Sequence, residues 1–110
     1  MFRTVADFQK AWEYETECTL KMLRALSDAS LQQAVTPHDR TLGRIAWHVV
    51  TSVPEMMNRT GLTLAVLVRH QAHHRGQMTV LMRQAGLKVP GVYGPAREEW
   101  AEFGMQPPAA

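Results

Sequence analysis

The sequence predicts an all-α protein: an antiparallel helical bundle of three long helices and a short C-terminal helix. Three observations predict it. Apolar residues recur at steps of three and four in three separate stretches. Capping residues stand where those stretches begin and end, with Thr4 and Thr41 in front and Gly86 behind. The break between the second and third stretches, Asn58 to Gly61, is so short that the helices on either side must be antiparallel neighbours. A length of 110 residues fits one domain, residues 1–110, with a modest core.

The first helix is expected from about Thr4 to Ser27. Phe8, Trp12, Thr19, Leu23 and Leu26 form its apolar stripe, with the charged residues on the other side. Thr4 is its N-cap. Trp12 is expected to be plain core.

Ser27 to Arg40 has no helical period and contains Ser27-Asp28, Ser30 and Thr36-Pro37. It reads as a connection with a short helical turn at Leu31–Gln33. His38 is expected to be a solvated loop residue.

Thr41 caps a second helix running to about Arg59. Its buried stripe is Leu42, Ile45, Ala46, Val49, Val53, Met56 and Met57, and His48 lies at the edge of that stripe. Pro54 should bend this helix, because its ring blocks the bond to the Val50 carbonyl.

The third helix runs from Leu64 to Ala85. Leu64, Leu67, Val68, Met78, Leu81, Met82 and Ala85 recur at helical spacing. Gly86 is a natural C′ residue. Lys88 to Pro95 must be extended or turning, since it holds two prolines and two glycines. Ala96 to Phe103 reads as a short helix anchored by Trp100 and Phe103. Gly104 to Ala110 reads as a frayed tail.

Composition narrows the function. No apolar run is long enough to span a membrane, and Met1 to Asp7 lacks the apolar core of a signal peptide. The single cysteine, Cys18, can form no internal disulfide and suits a reducing cytoplasm. Net charge is +2 and the charges are dispersed, so neither nucleic acid nor a membrane is an expected partner.

The chemistry concentrates in Arg69-His70-Gln71-Ala72-His73-His74-Arg75-Gly76-Gln77. His70 and His74 are four apart, on one helix face, with about 6 Å of rise between them. His73 points elsewhere, about 100° round the helix. His48 lies thirteen residues before Gly61 and His74 thirteen after it. A hairpin folded near Gly61 therefore sets His48 level with the His70/His74 pair. Three imidazoles converging between two helices suit a divalent metal such as zinc, nickel or iron, with an open position for a nucleophile or a thiolate. Exposed polar residues on a wet helix face are the competing reading, since Arg69 and Arg75 flank the pair. No carboxylate stands in this stretch to act as a base. Glu55 is about two turns beyond His48, roughly 10 Å along the axis. Ser52, with His48 four before it, lacks the third member of a triad.

Thr41-Leu42-Gly43-Arg44-Ile45-Ala46-Trp47-His48, the His70 to Gln77 box and Gly86 to Pro95 together resemble the DinB family. The resemblance implies a helical bundle with a divalent metal on one histidine of the second helix and an H-x-x-x-H pair on the last long helix. Those positions are His48, His70 and His74. It implies metal-dependent thiol transfer or hydrolysis acting on a small molecule or low-molecular-weight thiol. Gln77, Arg75 and Asp39 are the candidates for supporting the ligands or holding substrate, Arg75 alternatively pairing with a surface glutamate. The family also has a crossover and an extra helix where this chain has only Asn58 to Gly61. A shortened bundle leaves an apolar face uncovered, and a homodimer is expected to cover it. The alternative to an enzyme is a non-catalytic helical dimerisation or scaffold module. A DNA-associated damage factor is a third, weaker reading.

Overall fold

The structure, a computed structural model, describes residues 2–58 and 64–109, without the side chains of Met57 and Asn58. It has three long helices and, among the described residues, no strand: α1 Val5–Arg24, α2 Leu42–Asn58 and α3 Leu64–Gln84. Short 3-10 turns span Asp28–Gln32 and Trp100–Phe103. No described helix is long and apolar enough to cross a membrane.

Local chemistry sets the helix ends. The Thr4 hydroxyl accepts from the Asp7 amide and the Asp7 carboxylate accepts from the Thr4 amide, a reciprocal capping box. Those amide bonds hold the Asp7 carboxyl below the usual carboxylate range. Thr41 accepts from the Arg44 amide and so starts α2. Gly86, at φ 74°, ends α3 in the left-handed conformation, and the Leu87 amide returns to the Met82 carbonyl. Pro54 lies inside α2, which continues past it to Asn58. The expected end of α2 at Arg59, and most of the short connection, lie outside the described residues.

Helix α3 is the centre of the packing, touching both α2 and α1. Ser52 and Val49 of α2 meet Gln71 of α3, while Ile45 shares a cleft with Val80 and Leu81. The reversed order makes α2 and α3 antiparallel, as the short connection requires. Met22 near the end of α1, Leu42 and Ile45 at the start of α2, and Met78, Leu81 and Met82 near the end of α3 form one buried cluster. The helices therefore run up, down and up. After α3 the chain turns back over α1, where Val89 is buried and the Tyr14 hydroxyl donates to the Val92 carbonyl at 2.7 Å.

The buried face of α1 differs from the one its sequence suggests. Glu15, Cys18 and Met22 are buried, whereas Phe8, Trp12, Thr19, Leu23 and Leu26 are only half-buried. The reason is the packing partner. Helix α1 lies on α3 rather than on α2, so its more apolar stripe faces a groove between α1 and α2. Trp12, Leu20, Leu23, Val49, Val50 and Val53 line that groove. Phe103 is also corrected: it is 61 % exposed, and Trp100 alone is half-buried in the terminal turn.

Candidate metal centre

His48 reaches the site from α2, and His70 and His74 from α3. The antiparallel α2–α3 packing sets them level. The His48 and His70 Nε2 atoms are 3.2 Å apart, as are those of His70 and His74. One ligand atom from each residue lies within 4.8 Å of the others. Two nitrogens bound to a tetrahedral ion at about 2.0–2.1 Å are about 3.3 Å apart. The observed spacing fits that geometry. It fits three neutral imidazoles by themselves poorly, because one Nε2 proton can serve only one of its two neighbours.

Hydrogen bonding selects the tautomer at His74. Its Nδ1 lies 2.7 Å from Oε1 of Gln77, one turn along α3. A carboxamide oxygen only accepts, so the proton sits on Nδ1 and the Nε2 lone pair faces the other imidazoles. The His70 Nδ1 is buried and has no hydrogen-bond partner among the described residues. Burial disfavours the His70 cation, and the imidazoles of His74, His48 and His73 add to the effect. Burial likewise holds His74 below its ordinary value. The Gln77 bond opposes this, while the His48, His73 and Arg40 charges reinforce it. Neutral imidazole is the form that ligates a metal.

Two of the three imidazoles, those of His48 and His74, open onto a cleft of about 800 Å³. His48, His74 and Gln77 line it together with Asp39, Arg40 and His73, against the apolar side chains of Val35, Ile45, Val80 and Leu81. His73 thus stays outside the ligand group but faces the same cleft, its ring centroid 4.9 Å from that of His74. Asp39 is at the cleft, but its carboxylate accepts the Thr36 hydroxyl at 2.8 Å and bonds no imidazole of the triad.

Arg75 is not in the cleft and is not wet. It is 2 % exposed and crosses to α1. Its guanidinium donates to the Glu15 carbonyl at 3.0 Å and to the Thr19 hydroxyl at 2.9 Å, and also to the Glu15 carboxylate and the Tyr93 hydroxyl. The Thr19 hydroxyl donates its one proton to the Glu15 carbonyl at 3.0 Å and lies 3.5 Å from Gln71 Oε1, while Gln71 Nε2 donates to the Val49 carbonyl at 2.9 Å. A buried polar chain therefore ties α1, α3 and α2 together, its last link lying beside His48 and His70. Part of the signal was present in the sequence, since Arg75 stands one helical step before the core residue Met78, but nothing local marks Glu15 as its partner. His38 is exposed, its amide donating to Thr36, and Ser52 donates to Val49 rather than to His48.

Comparison with known proteins agrees with this architecture. The DinB family profile matches residues 55–108. The uncharacterized protein YrdA of Bacillus subtilis (strain 168) is 38% identical over 165 residues, covering 98% of this chain and 99% of that protein. An alignment of 165 positions against a chain of 110 leaves at least 55 positions facing no residue here. The crystal structure of a DinB-like protein from Bacillus cereus ATCC 10987 superposes with a TM-score of 0.79 at 37% identity, covering 84% of this chain and 100% of that one.

Proposed function

Because this chain belongs to the DinB family, we propose that it binds one divalent metal ion, zinc, nickel or iron, through His48, His70 and His74, and uses it in thiol transfer or hydrolysis on a small molecule. The 3.2 Å spacing of the Nε2 atoms carries the reading. Three protein ligands leave a position open to a substrate, whereas structural zinc sites are closed by four. Such an ion supplies Lewis-acid charge that stabilises a thiolate or polarises a carbonyl.

The chain's own groups have separable tasks in this reading. Gln77 keeps the His74 proton on Nδ1. Gln71 fixes the level of α3 against α2 beside two of the ligands. Ile45, Val80 and Leu81 give the cleft an apolar lining beside the histidines. Asp39 is the carboxylate at the cleft lining. Titrating the metal-free protein with cobalt(II) tests the reading. One equivalent should give intense four-coordinate visible bands that His74→Ala abolishes. Bands that persist in that variant would place the ion elsewhere.

A second reading is a non-catalytic module assembled through its open face. The apolar groove between α1 and α2 supports it, as does the exposure of Trp47 and Val50 beside that groove. A homodimer that survives chelation and His74→Ala unchanged would favour this reading over the metal enzyme.

A further inference from the structure

The cleft beside the imidazoles is lined by an exposed cation that forms no ion pair or side-chain hydrogen bond among the described residues. Arg40 precedes the Thr41 cap of α2, and its side chain lines the cleft with His48, His74 and Gln77. Arg40, like Arg3, Arg44, Arg69 and Arg97, takes part in no ion pair among the described residues, but of these arginines it is the one that lines the cleft. Its neighbour Asp39 would be the obvious partner. Instead the Asp39 carboxylate accepts the Thr36 hydroxyl and the Asp39 amide donates to the Thr36 carbonyl, a local turn that engages this acid. The cleft that Arg40 shares with His48 and His74 also carries the apolar side chains of Val35, Ile45 and Val80.

We infer that Arg40 anchors a carboxylate on the ligand, so that the cleft selects small molecules with a metal-seeking head, a short apolar spacer and an anionic end. The planar guanidinium fork matches a carboxylate in a two-bond arrangement that a neutral alcohol cannot reproduce. Arg40 is exposed at the rim of the cleft, so its attraction for an anion is screened by salt and the preference should fall as ionic strength rises. The ligand's head rests on the metal reading; its other end does not.

Two thiols of equal length separate the terms: 3-mercaptopropionate and 3-mercapto-1-propanol. Each is titrated into the cobalt-loaded protein and followed by its sulfur-to-cobalt charge-transfer band. The wild type should bind the acid about tenfold more tightly than the alcohol, the scale of one charge-assisted hydrogen-bond pair. Arg40→Gln should reduce that ratio to about one while leaving alcohol affinity and cobalt stoichiometry unchanged, and Arg40→Lys should retain part of it. Equal affinities in the wild type, or a preference that survives Arg40→Gln, would overturn the inference. Failure to bind cobalt would sink the metal reading alone. The anchor is then read from backbone amide shifts of the metal-free protein titrated with propionate. Shifts around Arg40 that vanish in Arg40→Gln uphold it, and no shifts overturn it.

Discussion

The Nδ1 of His74 and the Oε1 of Gln77 lie 2.7 Å apart, one helical turn along α3. This contact decides which nitrogen of His74 is free. Without it the imidazole can take either tautomer and turn about its χ2. Gln77→Ala should weaken zinc binding about tenfold or more, the usual effect of losing an outer hydrogen bond to a ligating histidine. Gln77→Glu should preserve it, because a carboxylate accepts the same proton. Competition against a zinc-sensitive dye measures both. Equal affinities for wild type and Gln77→Ala would show that the contact does not orient the ligand.

The titration of the site should be visible in stability. His70 and His74 are held below the ordinary histidine value of 6.5, chiefly by burial. Between their folded values and 6.5 the unfolded chain binds more protons, so stability rises with pH in that window. The contribution is complete above 6.5 and is lost as pH falls through the folded values. Urea midpoints of the metal-free protein should therefore decline in acid more steeply than those of a His70→Gln, His74→Gln double variant. Parallel curves for the two proteins would contradict the assignment.

Arg75 and Glu15 form a buried pair, with side chains 2% and 10% exposed. Removing one partner leaves the other charge uncompensated in the core. Arg75→Ala should destabilise the fold by about 3–5 kcal/mol in urea unfolding. Tyr93→Phe should cost less, about 1 kcal/mol, because it removes a hydroxyl that bonds both partners but leaves the pair intact. Tyr93 is 61 % exposed as a whole, but desolvation of its hydroxyl, with the Glu15 hydrogen bond, raises the phenol to about 12, so its ultraviolet titration should lie above that of a free tyrosine.

The turn after α3 is equally specific. Glu99 accepts the Gly91 amide at 2.9 Å and the Ala96 amide at 3.0 Å, and those bonds hold its carboxyl below the usual range. A Cβ on Gly91 would run into the Gly94 carbonyl and the Glu99 carboxylate, whereas one on Gly94 meets nothing within 4 Å. Gly91→Ala should lower stability by about 1–3 kcal/mol, and Gly94→Ala by no more than about 0.5 kcal/mol. Equal effects in thermal unfolding would refute the distinction.

Local interactions made the helices readable. The Thr4–Asp7 box, the Thr41 cap and Gly86 act within a few residues, so the sequence marks the ends directly. Level placement of His48 with His70 and His74 followed from counting about Gly61, because two antiparallel helices joined by a short connection share one register. Helix α1 was harder. Its Phe8–Trp12–Leu23 stripe is more apolar than Glu15–Cys18–Met22, yet the latter is buried because Glu15 meets Arg75, sixty positions away. No periodicity reveals a partner at that separation. Arg40 escaped notice for the same reason: it stands in an aperiodic loop, and only the packing of that loop beside α2 and α3 brings it to the cleft.

Native mass spectrometry of the purified chain, before and after a strong chelator, tests the metal reading most directly. The 12.4 kDa chain should carry one divalent ion, lose it to the chelator and regain it from added zinc. The variant with His48, His70 and His74 all replaced by alanine should carry none. A wild-type chain that takes up no ion, or a triple variant that still does, would contradict the account.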